Sequence, residues 1–272
     1  MKILVTGHCG FIGKKVFTAL KNQSHDVVGV DLKEGRDLLH CLPNGKFDFV
    51  FHLAALPSVQ FSIENPFYSM RNNVLGTSKL LEWSLNSGVK RVIFSSSAAV
   101  NNGNPKSPYG LQKYLSELEC KLYAQTYGLD TVSLRYYNVY SEDQKFGGPY
   151  STAISAWMEM IKQNKPLRLD GDGEQTRDFI YVDDIVSANI FCMNYNGQLE
   201  GSALDVGTGR SISLNYVKKY IDSICNVEWN HKPARIGDIR KSKADVTKIS
   251  SLGWKSNITI DEGLKKCFQS VN

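Results

Sequence analysis

No stretch of the 272 residues approaches the run of about 20 apolar side chains needed to span a bilayer. Nor does the N-terminus read as a secretory leader, because glycines interrupt the short apolar run after Met1-Lys2 at once. Cysteine is sparse and scattered. Cys9, Cys41, Cys120, Cys192, Cys225 and Cys267 form no CxxC pair, which argues against a disulfide frame or a zinc site and fits free thiols in a reducing cytoplasm. Runs of one charge are also missing. The 32 Lys and Arg are interspersed with 27 Asp and Glu, so the net charge of +5 reads as a mixed solvated surface and not as a nucleic-acid patch. There is no internal repeat and no low-complexity segment. What remains is 42% hydrophobic and 22% charged, a globular composition long enough to bury a sizeable core in one large or two unequal domains.

Through the first half, short β-rich runs alternate with helical patterns. KILVTG, DVVGVD, FDFVFHLAA, RVIFSSS and TVSLRYYNVY read as strands. Helices are predicted over Phe11 to Asn22, over Pro66 to Gly88, and from Tyr109 to about Tyr127 with Leu111, Leu115, Leu118 and Leu122 along one face. Such alternation implies right-handed crossovers and an α/β fold whose parallel sheet is covered on both faces. After about Gly147 the regularity fades, leaving one clear helix before Asn164, the segment TRDFIYVDDIVSANIFCM and a last third punctuated by Gly and Pro. The expected division is residues 1–150 and a smaller lobe over 151–272, some segments of which return to the first sheet.

Glycine has one concentrated use. In ILVTGHCGFIG an apolar strand runs into Gly7, Gly10 and Gly13 and then into a helix. Glycines there permit a tight turn and let backbone approach a pyrophosphate, while the helix start presents free N–H groups and partial positive charge. About 20 residues on, Asp31 ends the strand VVGVD, where a carboxylate accepts hydrogen bonds from an adenosine ribose and repels a 2′-phosphate. The pattern predicts a Rossmann-type dinucleotide site that takes NAD. His8 and Cys9 fill the variable places of the turn. They read as turn residues with no partner cluster, so no metal ligand is assigned.

SPYGLQKYLSE places Tyr109 and Lys113 four apart at a helix start, so both point to one side. A free phenol titrates near pH 10 and is a poor base at neutrality. A neighbouring ammonium and a positive nicotinamide ring favour the phenolate, making Tyr109 a proton shuttle and Lys113 its tuner and a ribose clamp. Ser95, Ser96 and Ser97 end a strand just upstream, where a hydroxyl can hydrogen-bond a substrate oxygen.

In order along the chain stand TGHCGFIG, VVGVD, FHLAA, NNVLGT, IFSSS, SPYGLQK, LRYYNVY, GDGEQTRDFIYVDDI, LDVGTG and RIGDIRKSKADVTK. Together these resemble an extended short-chain dehydrogenase/reductase of the nucleotide-sugar epimerase/dehydratase type, over nearly the whole chain. The resemblance implies a doubly wound Rossmann-type sheet with a smaller C-terminal substrate lobe. It implies that Gly7, Gly10, Phe11, Ile12 and Gly13 hold the NAD pyrophosphate and Asp31 the ribose. Asp37 and Leu38 would lie by adenine, Leu53, Ala54 and Ala55 beneath the cofactor with Asn73 nearby, and Ser95 and Tyr137 beside the nicotinamide end. Ser97, Tyr109 and Lys113 match the catalytic trio. Asn138, Arg177, Arg235 and Asp238 match positions that hold a nucleotide diphosphate and sugar, and paired guanidiniums suit a diphosphate because they donate bidentately and keep their charge.

Ser97 is followed by Ala98-Ala99, where dehydratases of the family carry an acidic pair, so 4,6-dehydration and decarboxylation are disfavoured. The remaining expectation is redox-neutral epimerisation, commonly at C4 of a UDP-sugar. Ser242 lies seven residues after Arg235, at a position described in UDP-hexose 4-epimerases as a gate, and a small residue there leaves room for an N-acetyl group. Three departures stand out. The segment between Asp31 and FHLAA is abridged at the expense of a strand. AAVNNGNPKSP replaces a longer loop, with Asn101 where tyrosine is usual. Asp170 occupies a place that often packs on the nucleotide base. Two alternatives remain open at this point, a keto-sugar reductase or dehydrogenase that consumes cofactor, and a non-catalytic NAD-binding regulator. The resemblance also implies a homodimer, paired through the Tyr109 helix and the helix before it.

Overall fold

The computed structural model describes residues 1–145, 147, 152–234 and 239–269. The chain begins β1 (Lys2–Thr6), α1 (Phe11–Asn22), β2 (Asp26–Val30), β3 (Phe49–His52), α2 (Val59–Glu64), α3 (Pro66–Met70) and α4 (Gly76–Asn86). It continues through β4 (Arg91–Ser97), α5 (Pro108–Tyr127), β5 (Asp130–Tyr136), β6 (Asn138–Tyr140), α6 (Ala153–Lys162), β7 (Leu167–Asp170), β8 (Thr176–Arg177) and β9 (Phe179–Tyr181). It ends with α7 (Val182–Asn194), β10 (Ser202–Val206), β11 (Ile212–Ser213), α8 (Leu214–Ile224), β12 (Trp229–Lys232), α9 (Thr247–Ser251) and α10 (Ile260–Gln269).

Two compact units result, one of residues 1–136 and 185–205, the other of 137–184 and 206–272. The chain thus leaves the first unit after Tyr136, earlier than a division drawn at residue 150. In the first unit six strands form one sheet in the order β10-β5-β4-β3-β1-β2. The β2–β1, β1–β3, β3–β4 and β4–β5 ladders are parallel. A single 3₁₀ turn, Leu32–Glu34, occupies the shortened stretch after Asp31, and β2 is left at the sheet edge. Leu4, Val50, Val92 and Phe94 from the strands pack against Leu80 and Leu81 of α4 and Cys120 of α5. Fully burying each such Leu or Phe is worth about 1.5–3 kcal/mol.

The predicted helix over 66–88 forms with an interruption. Between α3 and α4 the backbone widens into one π-type turn, Arg71–Leu75, which carries the buried Asn73. π-turns of this kind commonly mark functional positions. Helix α5 starts where Ser107 caps it through Oγ to Gly110 N, with Pro108 at its first turn, and stops at the left-handed Gly128. The single strand predicted over TVSLRYYNVY divides at Tyr137: β5 lies in the large sheet, whereas β6 pairs in parallel with β9.

Arg91, at the start of β4, ties distant segments of the first unit together. Its guanidinium meets Asp130 Oδ2 at 2.6 Å and donates to the carbonyls of Cys192, Tyr195 and Gly197. The second unit is built from short pairs: β6–β9, β7–β12 and the antiparallel β8–β11. Its core includes Tyr140, which meets Tyr181 edge-on at 5.6 Å and leaves room at Gly263 for no side chain, since a Cβ there would stand 2.0 Å from the Tyr140 hydroxyl.

Candidate active site

The glycine turn divides its labour. Gly7 takes a left-handed φ of +73°, and a Cβ on it would stand 2.6 Å from Ala54 N. A Cβ on Gly13 would lie 2.0 Å from the Gly7 carbonyl oxygen, so this glycine lets α1 pack onto the turn. At Gly10 the added carbon would meet, among the described residues, Gly7 O alone, at 3.1 Å. Gly10 caps α1 without any side-chain hydrogen bond, which leaves the helix start bare for an anion. Asp31 is buried at the end of β2. Its Oδ2 accepts from Cys9 N at 2.9 Å and its Oδ1 from Lys33 N at 2.8 Å. Each oxygen keeps a further lone pair, the requirement for accepting from a vicinal diol. A cradle that side chains would fill, a bare helix start and an oriented carboxylate fit an adenine dinucleotide. Asp37 accepts from Leu39 N and from Arg71 Nη2 at 3.1 Å. Burial alone would raise its pKa, but the Leu39 N–H and the Arg71 guanidinium outweigh it and hold the carboxyl below its ordinary value. Leu38 lies in the hydrophobic core with Val30, Leu80 and Leu81.

Beneath the turn runs a polar relay that sequence reading missed. Ala54 N donates to Thr6 Oγ1 at 3.3 Å, Thr6 Oγ1 meets His52 Nδ1 at 2.8 Å, and His52 Nε2 meets Thr77 Oγ1 at 3.0 Å. Thr77 spends its one hydrogen on Asn73 O, 2.7 Å away, so His52 must donate from Nε2 and accept at Nδ1. Burial, with Lys113 adding repulsion, pushes the His52 pKa down to about 3, and the ring is neutral as the relay needs. Asn73 in turn grips Leu56 N and O and the Gln112 carboxamide. The segment Leu53–Ala55 is thus bonded through side chains to α5. A histidine inside the apolar run FVFHLAA is the signal that was there to be read.

On α5, Tyr109 and Lys113 are both buried, and Tyr109 N donates to Ser62 Oγ at 3.0 Å. Lys113 Nζ donates to Ser95 O at 2.7 Å and lies 6.0 Å from the centre of the Tyr109 ring. Burial lowers the Lys113 pKa to about 8 against the raising pull of Cys120 and Glu117. It therefore carries its charge at neutral pH, next to the phenol it is to tune. The three serines part company by strand alternation. Ser95 Oγ lies 3.0 Å from the Tyr136 hydroxyl, and burial raises that phenol far above its ordinary pKa, which leaves Tyr136 a neutral hydrogen-bonding group. Ser96 faces the other way and donates to Glu117, which also takes a bidentate pair from Arg135. Ser97 Oγ accepts from Ala99 N at 3.1 Å, a bond that uses a lone pair and leaves the hydroxyl hydrogen to donate. The shortened loop that follows is a 3₁₀ segment over Ala98–Gly103 in which Asn101 and Asn102 are both left-handed, at φ 49° and 53°. Asn101 closes it by donating to Asn104 O. A Cβ on Gly110 would lie 2.4 Å from Ala99 O, so α5 packs directly on this loop.

In the second unit, Asp178 is completely buried and binds Thr208 N and Oγ1, Gly209 N and Ala244 N. It fastens the LDVGTG turn to the strand that carries Arg177. Burial raises its pKa against these four bonds. Arg177 Nη1 donates to the carbonyls of Thr176 and Ile239. Ser242 is half-buried, with its N–H on Thr176 O and its carbonyl accepting from Ser211. Asn138 N donates to Asp178 O and Tyr137 N to Val206 O. Asp170 is buried and takes Arg168 Nε at 2.6 Å. Arg235 and Asp238 lie outside the described residues.

Residues 3–207 match the NAD dependent epimerase/dehydratase family. The chain belongs to that family. It is 32% identical to a UDP-glucose 4-epimerase of Mycolicibacterium smegmatis, over 98% of this chain and 97% of that one. It superposes on the UDP-glucose 4-epimerase of Thermotoga maritima, solved with UDP-glucose, with TM-score 0.88, 33% identity and 99% of each chain covered. A UDP-N-acetylglucosamine 4-epimerase of Methanobrevibacter ruminantium, in complex with UDP-N-acetylmuramic acid, gives TM-score 0.89 at 31% identity, with 99% of this chain and 98% of that one covered.

Proposed function

We propose that the protein is an NAD-dependent UDP-sugar 4-epimerase that interconverts gluco and galacto configurations of a UDP-hexose or UDP-N-acetylhexosamine. The observation that carries this reading is Lys113 held by Ser95 O beside Tyr109, with Ser97 Oγ accepting from Ala99 N in the uncharged Ala98-Ala99 turn that follows it. That arrangement holds and moves one proton and has no acid there to expel water.

The glycine turn and Asp31 hold NAD, which supplies reversible hydride exchange at the sugar carbon when bound. Tyr109, as phenolate, takes the proton of the sugar hydroxyl and later returns it. Lys113 favours the phenolate by its charge. Ser97 donates to the reacting oxygen and fixes its direction. Asn138, Arg177 and Ser242, with Arg235 and Asp238, hold the nucleotide diphosphate and sugar, and the small Ser242 admits an N-acetyl group.

The outward face of α5 supports a homodimer. Leu111, Leu118 and Leu122 are 42%, 46% and 54% exposed, an apolar stripe on a helix whose inward face is polar. No helix among the described residues is long and apolar enough to cross a membrane, and six free thiols fit a reducing cytoplasm.

Proton NMR of the purified protein with UDP-glucose and, separately, UDP-N-acetylglucosamine tests the reading. New galacto anomeric signals that settle at a constant ratio, with no reductant added, are the expected result. Unchanged spectra after NAD is supplied would remove UDP-hexose 4-epimerisation.

A further inference from the structure

His8 and Cys9 fill the variable places of the glycine turn, and in sequence they have no partner. The fold supplies one. The 3₁₀ turn after Asp31 brings Glu34 back over them, so that His8 Nε2 lies 3.2 Å from Glu34 Oε1, Cys9 Sγ 3.5 Å from His8 Nε2 and Cys9 Sγ 3.7 Å from Glu34 Oε1. A tetrahedral zinc ion bound by thiolate, imidazole and carboxylate at ordinary bond lengths requires separations of about 3.3 Å (N to O), 3.5 Å (S to N) and 3.5 Å (S to O). The three donor atoms already stand at those separations, each within about 0.2 Å. We propose that His8, Cys9 and Glu34 form a zinc site with three protein ligands and water in the fourth position.

Independent features of the turn support it. The His8 ring is seated by design of the strand beside it: a Cβ on Gly29 would come within 2.5 Å of the ring, so glycine in β2 makes the space the imidazole fills. Phe17 packs against the same ring at 5.0 Å. The imidazole presents its Nε2 to both Glu34 and Cys9. Glu34 is exposed, which leaves an entry side and room for the water. The charges also match. Asp31 receives Cys9 N–H and Lys33 Nζ donates to Cys9 O, so with a thiolate and the Glu34 carboxylate the local sum is about two negative charges, the complement of a divalent ion. Binding breaks the Cys9 S–H bond, releases its proton to solvent and forms a sulfur–zinc bond, with no change of oxidation state. The ion would join residues 8–9 to residue 34, which flank the carboxylate assigned to the adenosine ribose.

The full chain, stripped of metal with EDTA, is titrated with Co²⁺ and then Zn²⁺. One equivalent of Co²⁺ is expected to produce a thiolate-to-cobalt charge-transfer band that Zn²⁺ abolishes. Cys9→Ala is expected to lose the band, and Glu34→Gln, a change on the surface, to weaken binding at least tenfold. Absence of a saturable band, a band that persists in Cys9→Ala, or unaltered affinity in Glu34→Gln would each overturn the site. The last of these decides even where Cys9→Ala does not fold.

Discussion

Helix α5 turns two unlike faces to its surroundings. Its inward face carries Tyr109, Gln112, Lys113, Ser116 and Glu117, all buried, and its outward face carries Leu111, Leu118 and Leu122, all exposed. This reverses the ordinary amphipathic helix, which hides its apolar stripe. Buried polar groups are tolerable when each is hydrogen-bonded. Here Gln112 joins Asn73 and Ser69, Lys113 joins Ser95 O, Ser116 joins Asn73 O, and Glu117 joins Ser96 and Arg135. The inward face is therefore held in a hydrogen-bonded network, while the apolar stripe faces outward and is exposed. A helix read by apolar periodicity alone would be placed back to front.

Tyr109→Phe, which removes one oxygen from the inward face, has the largest expected effect. It is expected to lower kcat by about 10³-fold while fold and NAD binding persist, because a positioned acid–base group contributes about 10²–10⁴. Steady-state NMR rates and circular dichroism check both halves, and near-wild-type turnover would refute the proposed role. Glu117→Gln acts next, on the scaffold. It strips the charge that Arg135 pairs with at 2.7 Å; Arg135 is half-buried and keeps Asp205 at 3.8 Å, so the loss is expected to stay below the roughly 3 kcal/mol of a fully buried pair, readable by urea denaturation. Leu118→Glu tests the other face. The variant is expected to elute as a monomer in sizing experiments with monomer stability little changed, whereas an unaltered oligomer would move the interface elsewhere.

The last effect is a pH dependence. Lys113 titrates near 8 in the fold against 10.5 for the free side chain. Below about pH 8 both states hold the proton and the cost of burying the charge is fully present. Between about 8 and 10.5 the unfolded chain binds more protons, so stability rises with pH, by at most about 1.4 kcal/mol per unit. Lys113→Met is expected to lack that rise in denaturation series at pH 7.5 and 10.

Much of the first unit was legible because its strands are nearly continuous apolar runs separated by helices, a pattern with one good topological solution. The glycine turn was legible because three glycines and Asp31 answer a single geometric demand. The rest hid for identifiable reasons. His52 is one polar letter in an apolar run, and its role appears only when Thr6 and Thr77 are brought to its two nitrogens. Glu34 is separated from His8 by a whole helix and strand. TVSLRYYNVY has no break in its pattern at Tyr137, yet the chain changes sheets there. The second unit is made of two- to four-residue strands, too short for periodicity to declare.

Arg91 carries a consequence for how the protein is made. Its guanidinium is satisfied by Asp130 and by carbonyls of residues 192, 195 and 197, which lie beyond the whole inserted segment 137–184. A ribosome adding about 5–20 residues per second reaches them several seconds after Tyr136 has emerged. Until then Arg91 lacks its three carbonyl acceptors and β5 lacks β10 on its outer edge. The nascent first unit is complete only when the chain has made an excursion through the second and come back, so truncation anywhere before Gly197 leaves a sheet that cannot finish itself.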